Sequence, residues 1–368
     1  MKKNKIDRIF LILTILLVSV GFFVFTSASL GLYVRKGFSL QNIFFDQTAG
    51  LLLGIVLLTI AIKTPLRLLR KYALHLFIAS VVFSFLVFVP HLGFSHNGAS
   101  RWISLKYFSL QPSEMLKLAT VIYFASILPL LRDRIKTMKY SLGIMLGVLA
   151  MPAIVLFFQK DTGTLMVIVS AVLAMLVASG AKIRHLSIMI VIIFLGIGAL
   201  AMVRPHVKER ILTFFDPSRD PQGASYQIQK SLIAIGSGGI VGRGFGQSVQ
   251  KYGTLPEPTG DSIFAVMGEE FGFVGATLLI LLFLLFGIRG MQVANASQDS
   301  FSGLLAVGIV ILIISQSFVN IAAMLGLIPL TGLPLVFVSH GGTAIVFSFI
   351  EVGILLNISR HTLNKKNL

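Results

Sequence analysis

The chain has 368 residues, of which 55% are hydrophobic and only 12% charged, and it contains no cysteine. Soluble domains carry about 25% charged residues, so this composition leaves too little polar surface for a water-soluble globule. A net charge of +17 would suit a nucleic-acid binder, but Lys and Arg stand here in short clusters between apolar blocks. That pattern fits an anionic bilayer surface, and no nucleic-acid partner is expected. Without cysteine, disulfides and thiolate metal sites are excluded.

In chain order, the apolar blocks match the roughly 20 residues that a helix needs to cross about 30 Å of hydrocarbon. They predict ten helices near 9–30, 45–62, 72–90, 113–131, 141–158, 164–181, 186–203, 262–288, 301–326 and 339–358. Lys2, Lys3, Lys5 and Arg8 precede the first, whose apolar run is too long for a signal-peptide core and reads as a retained helix. Eighteen Lys and Arg fall on the side that holds both termini and the loops after helices two, four, six and eight. Five fall in the short loops of the opposite side, so both termini are expected in the cytoplasm.

The expected fold is therefore an all-α polytopic membrane protein, a single domain over 1–368, with a long extracytoplasmic loop at about 204–261 between helices seven and eight. In that loop Arg204 to Asp220 mixes charge with Pro205, Pro217 and Pro221. Tyr226 to Ile235 predicts a short interfacial helix, and Gly236 to Gly246 is too glycine-rich for a regular element.

Polar residues concentrate in a few outward segments, where a membrane protein keeps them for a reason. His96 to Trp102 sets Arg101 beside the only Trp of the chain, either as a headgroup anchor or as part of a site. Gln111-Pro112-Ser113-Glu114 opens the fourth helix, with Lys117 on the same face; the pair is either structural or a contact for substrate or phosphate. In Gln159-Lys160-Asp161-Thr162-Gly163-Thr164, Asp161 reads either as a helix cap or as a substrate contact.

The long loop is richest. Gly238-Gly239 and Gly242-Arg243-Gly244-Phe245-Gly246 have the look of a backbone anion nest, and Arg243 and Lys251 add positive charge. Leu255-Pro256-Glu257-Pro258 leads to Asp261, either the N-cap of the eighth helix or a general base at the membrane surface. Glu269 and Glu270, two turns inside that helix, must be paired or protonated. Pro329 to Pro334 and Ser339-His340-Gly341-Gly342 predict a bent or re-entrant backbone lining a cavity.

These motifs, together with Asn97-Gly98-Ala99-Ser100-Arg101-Trp102-Ile103, occur in an order that closely resembles the SEDS family of bacterial envelope proteins, which includes FtsW and RodA. The resemblance runs from about Arg8 to Ser359. Leu255-Pro256-Glu257-Pro258 and Val266-Met267-Gly268-Glu269-Glu270 look more like the septal, FtsW-type branch. It implies a peptidoglycan glycosyltransferase that polymerises lipid II, inverting the anomeric centre, beside a class B penicillin-binding protein and other divisome or elongasome membrane proteins. It implies Asp261 as the catalytic aspartate and Arg101-Trp102 as the family's Arg-Trp pair.

Under the same resemblance Trp102, Glu114, Asp161, Glu257, Ser339 and His340 are candidate substrate contacts, and Arg101, Lys117, Arg243 or Lys251 would meet the leaving pyrophosphate. A divalent cation, Mg2+ or Mn2+, bridging Asp261 and the pyrophosphate fits the chemistry, although no ligand cluster requires one. The chain departs from the family in having Thr259-Gly260 before and Ser262 after the aspartate, His340 for a usual Tyr, and Lys160 for a usual Pro. The alternatives are a flippase for the lipid-linked precursor, which would carry charges near the bilayer midplane, and a non-catalytic scaffold for a penicillin-binding protein.

Overall fold

The computed structural model describes residues 6–36, 40–96, 99–105, 108–216 and 223–361. Asn97, Gly98, Pro217, Pro221 and the three lysines before Ile6 lie outside them. Helices dominate: α1 (Arg8–Lys36), α2 (Leu40–Lys63), α3 (Leu66–Lys71), α4 (Ala73–Phe85), α5 (Pro112–Ile127), α6 (Met138–Phe158), α7 (Thr162–Ala178), α8 (Ile183–Val203), α9 (Pro205–Phe215), α10 (Ala224–Ser237), α11 (Ile263–Asn295), α12 (Ser300–Met324) and α13 (Gly342–Arg360). Among the described residues seven helices are long and apolar enough to cross a membrane. Three shorter apolar helices, Gln47–Lys63, Ala73–Phe88 and Thr162–Ala178, fall where the sequence places the second, third and sixth crossings.

Because lipid is apolar, such a bundle buries polar and small groups inward rather than sorting oil from water. The buried face of α12 carries Gln316, Ser317 and Asn320, whereas α11 exposes Leu278, Leu281, Leu285 and Ile288. One end of the bundle is tied by the Arg289–Asp7 ion pair (2.6 Å), by the Asp7 N–H donating to Ser359 Oγ (3.1 Å), and by Asn357 Nδ2 donating to the Thr64 carbonyl (2.6 Å). The start of α1 and the ends of α2, α11 and α13 therefore share that end.

The opposite end holds two elements that the sequence does not announce. An antiparallel sheet, β1 (Gly93–His96), β2 (Ala99–Leu105) and β3 (Phe108–Leu110), pairs Phe94 with Trp102 and Ile103 with Leu110. Strand alternation in β2 turns Arg101 inward, to 8% exposure, and leaves Trp102 half-buried. The stretch after Arg204 forms α9, with Pro205 in its first turn, where its missing N–H costs nothing.

The long helix α11 is broken at Gly272 (φ 62°, ψ −162°). The glycine-rich loop supplies the backbone partners that the break frees. Phe273 and Val274 N–H donate to the Gly239 and Ile240 carbonyls (2.9 and 3.1 Å), while the Glu269 and Glu270 carbonyls accept from Arg243 and Gly244 N–H (3.0 and 2.9 Å). A Cβ on Gly272 would strike the Gly242 backbone, so glycine is required on steric as well as conformational grounds. This overturns the anion-nest reading: the Arg243 and Gly244 N–H groups are spent on the helix, not on a phosphate.

The carboxylates beneath are the anions held there. Glu269 accepts from Ser248 Oγ (2.6 Å) and from Val249 and Gln250 N–H (3.0 and 3.2 Å). Glu270 accepts from Ser27 Oγ (2.7 Å) and Lys251 Nζ (2.6 Å). Both glutamates are thus paired, as their burial demands.

Candidate functional site

Asp261 sits just before α11, and the structure gives it a role other than the cap. The N-cap is Ser262, which makes no side-chain capping bond. Asp261 Oδ1 instead accepts from Gln227 Nε2 on α10 (2.9 Å), the same nitrogen that donates to Ser262 Oγ. The Asp261 carbonyl accepts from Asn320 Nδ2 on α12 (2.7 Å), which also donates to the Leu333 carbonyl (2.7 Å). Ser339 Oγ donates to the neighbouring Gly260 carbonyl (2.6 Å), and His340 N–H to the Thr259 carbonyl (2.7 Å). Ser339 and His340 thereby fasten the loop that carries the aspartate.

Arg101 approaches the same spot from β2. A Cβ placed on Gly332 (φ 70°) would lie 4.0 Å from both Arg101 Nη1 and Asp261 Oδ2. Any side chain at that position would meet both the guanidinium and the carboxylate. Arg101 Nη2 donates to the Lys160 carbonyl, and Nη1 stands 3.9 Å from Asp161 Oδ1. Asp161 does cap α7, accepting from Thr164 N–H (3.2 Å) and Oγ1 (2.8 Å), which is the cap reading of the sequence. Lys160 adopts φ 56°, which the ring of the family's usual proline forbids.

Arg210 on α9, which the sequence reading passed over, completes the cluster. Its Nη1 contacts the Thr331 carbonyl at 3.4 Å. Burial, and next the like charge of Arg101, push its pKa below the usual arginine value, while Asp161 and Asp261 pull it up. The two guanidiniums lie close enough to repel each other, a repulsion that an anion between them would relieve. Arg101 Nε and Thr331 Oγ1 are buried without a hydrogen-bond partner, which leaves two donors for a ligand.

The remaining predicted cations stand elsewhere. Lys117 is buried against Glu114 (2.9 Å) and Gln316 Oε1, a neutral membrane pair as one of its two readings expected. Lys251 has no exposed surface and is bound to Glu270 and Ser27, which corrects its assignment to the pyrophosphate. Arg243 Nε lies 3.5 Å from Glu269, with much of its side chain exposed. Among the described residues no three His, Asp or Glu side chains gather as a metal site.

Burial, and next the charge of Glu257, raise the Asp261 pKa to about 6; the Gln227 hydrogen bond and Arg210 oppose them. A base must be ionised to accept a proton, so a reaction that used Asp261 as its base would slow as pH drops through about 6. In Glu257→Gln the neighbouring negative charge is gone, and the acid limb of a pH–rate profile is expected to move to lower pH. An unmoved limb would detach Glu257 from the site.

Comparison with known proteins places the chain. Residues 7–364 match the cell cycle protein family of FtsW, RodA and SpoVE. The chain belongs to this family. It is 34% identical over 364 residues to stage V sporulation protein E of Bacillus subtilis, covering 98% of this chain and 99% of that protein. It is 36% identical over 355 residues to a probable peptidoglycan glycosyltransferase FtsW of Geobacter sp., covering 96% of each.

Among solved structures, a chain from a peptidoglycan synthase complex superposes with TM-score 0.80 at 25% identity, covering 98% of this chain and 99% of that one. Rod shape determining protein RodA of Thermus thermophilus shares the fold, with TM-score 0.68 at 24% identity over 98% of each chain. This family membership makes the chain a multi-pass membrane protein, as its helices require.

Proposed function

We propose that this chain is a peptidoglycan glycosyltransferase of the septal, FtsW-like kind, polymerising lipid II at the outer face of the bacterial cytoplasmic membrane. The observation that carries the reading is the convergence of the Asp261 carboxylate and the Arg101 guanidinium on Gly332, each 4.0 Å from where a Cβ would stand. Lipid II brings what those groups recognise: a sugar hydroxyl that must lose a proton and a pyrophosphate that must leave.

Asp261 takes the proton of the acceptor sugar's 4-hydroxyl as that oxygen attacks the donor's anomeric carbon. The bond to pyrophosphate breaks with its electron pair, and Arg101 and Arg210 take up the charge. An α-linked donor then yields a β-linkage in one inverting step. Gln227 holds the carboxylate and Asn320 the backbone carbonyl of Asp261, so that little reorganisation accompanies the transfer. A class B penicillin-binding protein fits as the partner that crosslinks the strands, and both termini are assigned to the cytoplasm on the Lys and Arg distribution.

The test is polymerisation of labelled lipid II by purified protein, alone and with its co-expressed penicillin-binding partner. Long glycan strands are expected. Protein that is inert in both conditions but moves labelled precursor across vesicles would establish the flippase instead, and protein inert in both assays would establish the scaffold.

A further inference from the structure

The end of the bundle opposite Asp261, where Arg289 pairs with Asp7, holds a polar pocket that the glycosyltransferase reading does not use. Its volume is about 400 Å³, within the range of small-molecule sites. Three elements meet there: the α2–α3 junction with Arg67, the α11–α12 turn with Gln298, Asp299 and Ser302, and the end of α13 with His361.

The walls are fixed by bonds of their own. Asn357 Nδ2 donates to the Ala61 and Thr64 carbonyls (3.0 and 2.6 Å) and Arg360 Nη1 to the Ile62 carbonyl (3.2 Å), which clamps α13 to the end of α2. Asp299 accepts from Ser302 N–H (2.6 Å) and Oγ (3.0 Å), and its carbonyl accepts from Ser297 Oγ (3.2 Å). Gly303 lets α12 close on that turn, since a Cβ there would stand 2.7 Å from Ser297 Oγ.

Charge and hydrogen-bonding capacity remain on these walls. The Arg67 side chain is exposed and makes no hydrogen bond, ion pair or ring contact among the described residues. Arg70, by contrast, lies over the Phe301 ring (6.0 Å), and Arg289 and Arg360 are engaged. His361 Nδ1 stands 3.0 Å from the Asn357 carbonyl, which can only accept, so Nδ1 carries the hydrogen and Nε2 stays available. Asp299 gives Ser302 one acceptor site from each oxygen; a carboxylate has about four, so its charge and further acceptor sites remain. A helix cap accounts for Asp299 alone. It does not account for an unpaired guanidinium and a half-used imidazole around the same cavity.

The surroundings point to lipid. Leu68 and Tyr72, beside Arg67 on and after α3, are 46% and 45% exposed where α2 has just ended, a pattern of the headgroup layer. Basic pockets at helix ends take anionic headgroups, but a carboxylate in the wall disfavours a purely anionic one. A ligand of both signs suits this wall, with a phosphate for Arg67 and an ammonium for Asp299 and the Gln298 side-chain oxygen. We infer that the pocket binds a phosphate ester bearing a primary ammonium, supplied as the phosphoethanolamine headgroup of a phospholipid in the leaflet on that side. The inference is independent of the lipid II reading.

In the test, full-length protein is reconstituted in nanodiscs of equal parts phosphatidylethanolamine and phosphatidylglycerol, then released into detergent, and retained lipid is read by native mass spectrometry. Phosphatidylethanolamine is expected in about five-fold or greater excess. Arg67→Gln should lower its retention about five-fold, the worth of one cation at a phosphate-bearing surface. Asp299→Asn keeps an oxygen for the cap and removes the charge, so the preference over phosphatidylglycerol should vanish while unfolding temperature holds. An excess that survives both substitutions would overturn the assignment.

The lipid series decides the matter even if a variant fails to fold. Phosphatidylcholine carries the same charges without N–H donors, and wild-type protein should retain about five-fold less of it. Equal retention of all three lipids would reduce the pocket to ordinary annular contact and overturn the inference. Displacement of the bound lipid by an equal concentration of water-soluble glycerophosphoethanolamine would assign the site to a soluble phosphate ester and overturn the lipid source; retention against that competitor supports it.

Discussion

Replacing Asp261 by Asn is expected to lower the rate of lipid II polymerisation by about 10²- to 10⁴-fold, the usual worth of a positioned general base. The substitution keeps the shape of the side chain and an oxygen that still accepts from Gln227 Nε2, and it leaves the Asp261 backbone carbonyl on Asn320 untouched. Thermal unfolding in detergent should therefore be unchanged. Asp261→Ala leaves the Gln227 amide without that partner and mixes a loss of position with the loss of the base. An Asn variant within ten-fold of wild type would remove Asp261 from the chemistry.

How far the sequence exposed this site depends on which signal each residue leaves. Apolar blocks of bilayer length mark the helices because lipid tolerates few other spanning structures. Asp261 and Arg101 were visible as charges at the outer ends of such blocks. Arg210 was hidden because the prolines and charges around it read as loop, whereas Pro205 stands where helices accept proline. Its spacing in Pro205–Phe215 carried an amphipathic signal that a search for membrane-length apolar runs misses.

Gln316 and Asn320, four residues apart in the apolar α12, were readable as one polar face and were passed over. Gln227 left no comparable signal; only the fold shows that its nitrogen reaches the aspartate. The glycine-rich loop was misread for a similar reason. Glycines permit a backbone to approach an anion or another backbone closely, and sequence does not distinguish the two. The distinguishing fact is Gly272, whose break creates hungry N–H and carbonyl groups that the loop satisfies.

Lys251→Met tests that correction, and the expected result is a large loss of stability. Lys251 is wholly buried, with its ammonium 2.6 Å from Glu270 Oε1 and 2.8 Å from Ser27 Oγ. Glu270 Oε2 makes no hydrogen bond, so removing the ammonium leaves a buried carboxylate held at Oε1 by the neutral Ser27 Oγ and Ser248 N–H. Breaking a buried pair from one side costs about 3–5 kcal/mol, whereas replacing both partners by apolar groups is often near neutral. Lys251→Met is thus expected to lower the unfolding temperature sharply, and adding Glu270→Leu should restore most of it. A lysine that served the pyrophosphate would behave otherwise: its loss would raise KM for lipid II at unchanged stability, and the second substitution would rescue nothing. The double variant separates the two because only a structural ion pair is repaired by deleting its other half.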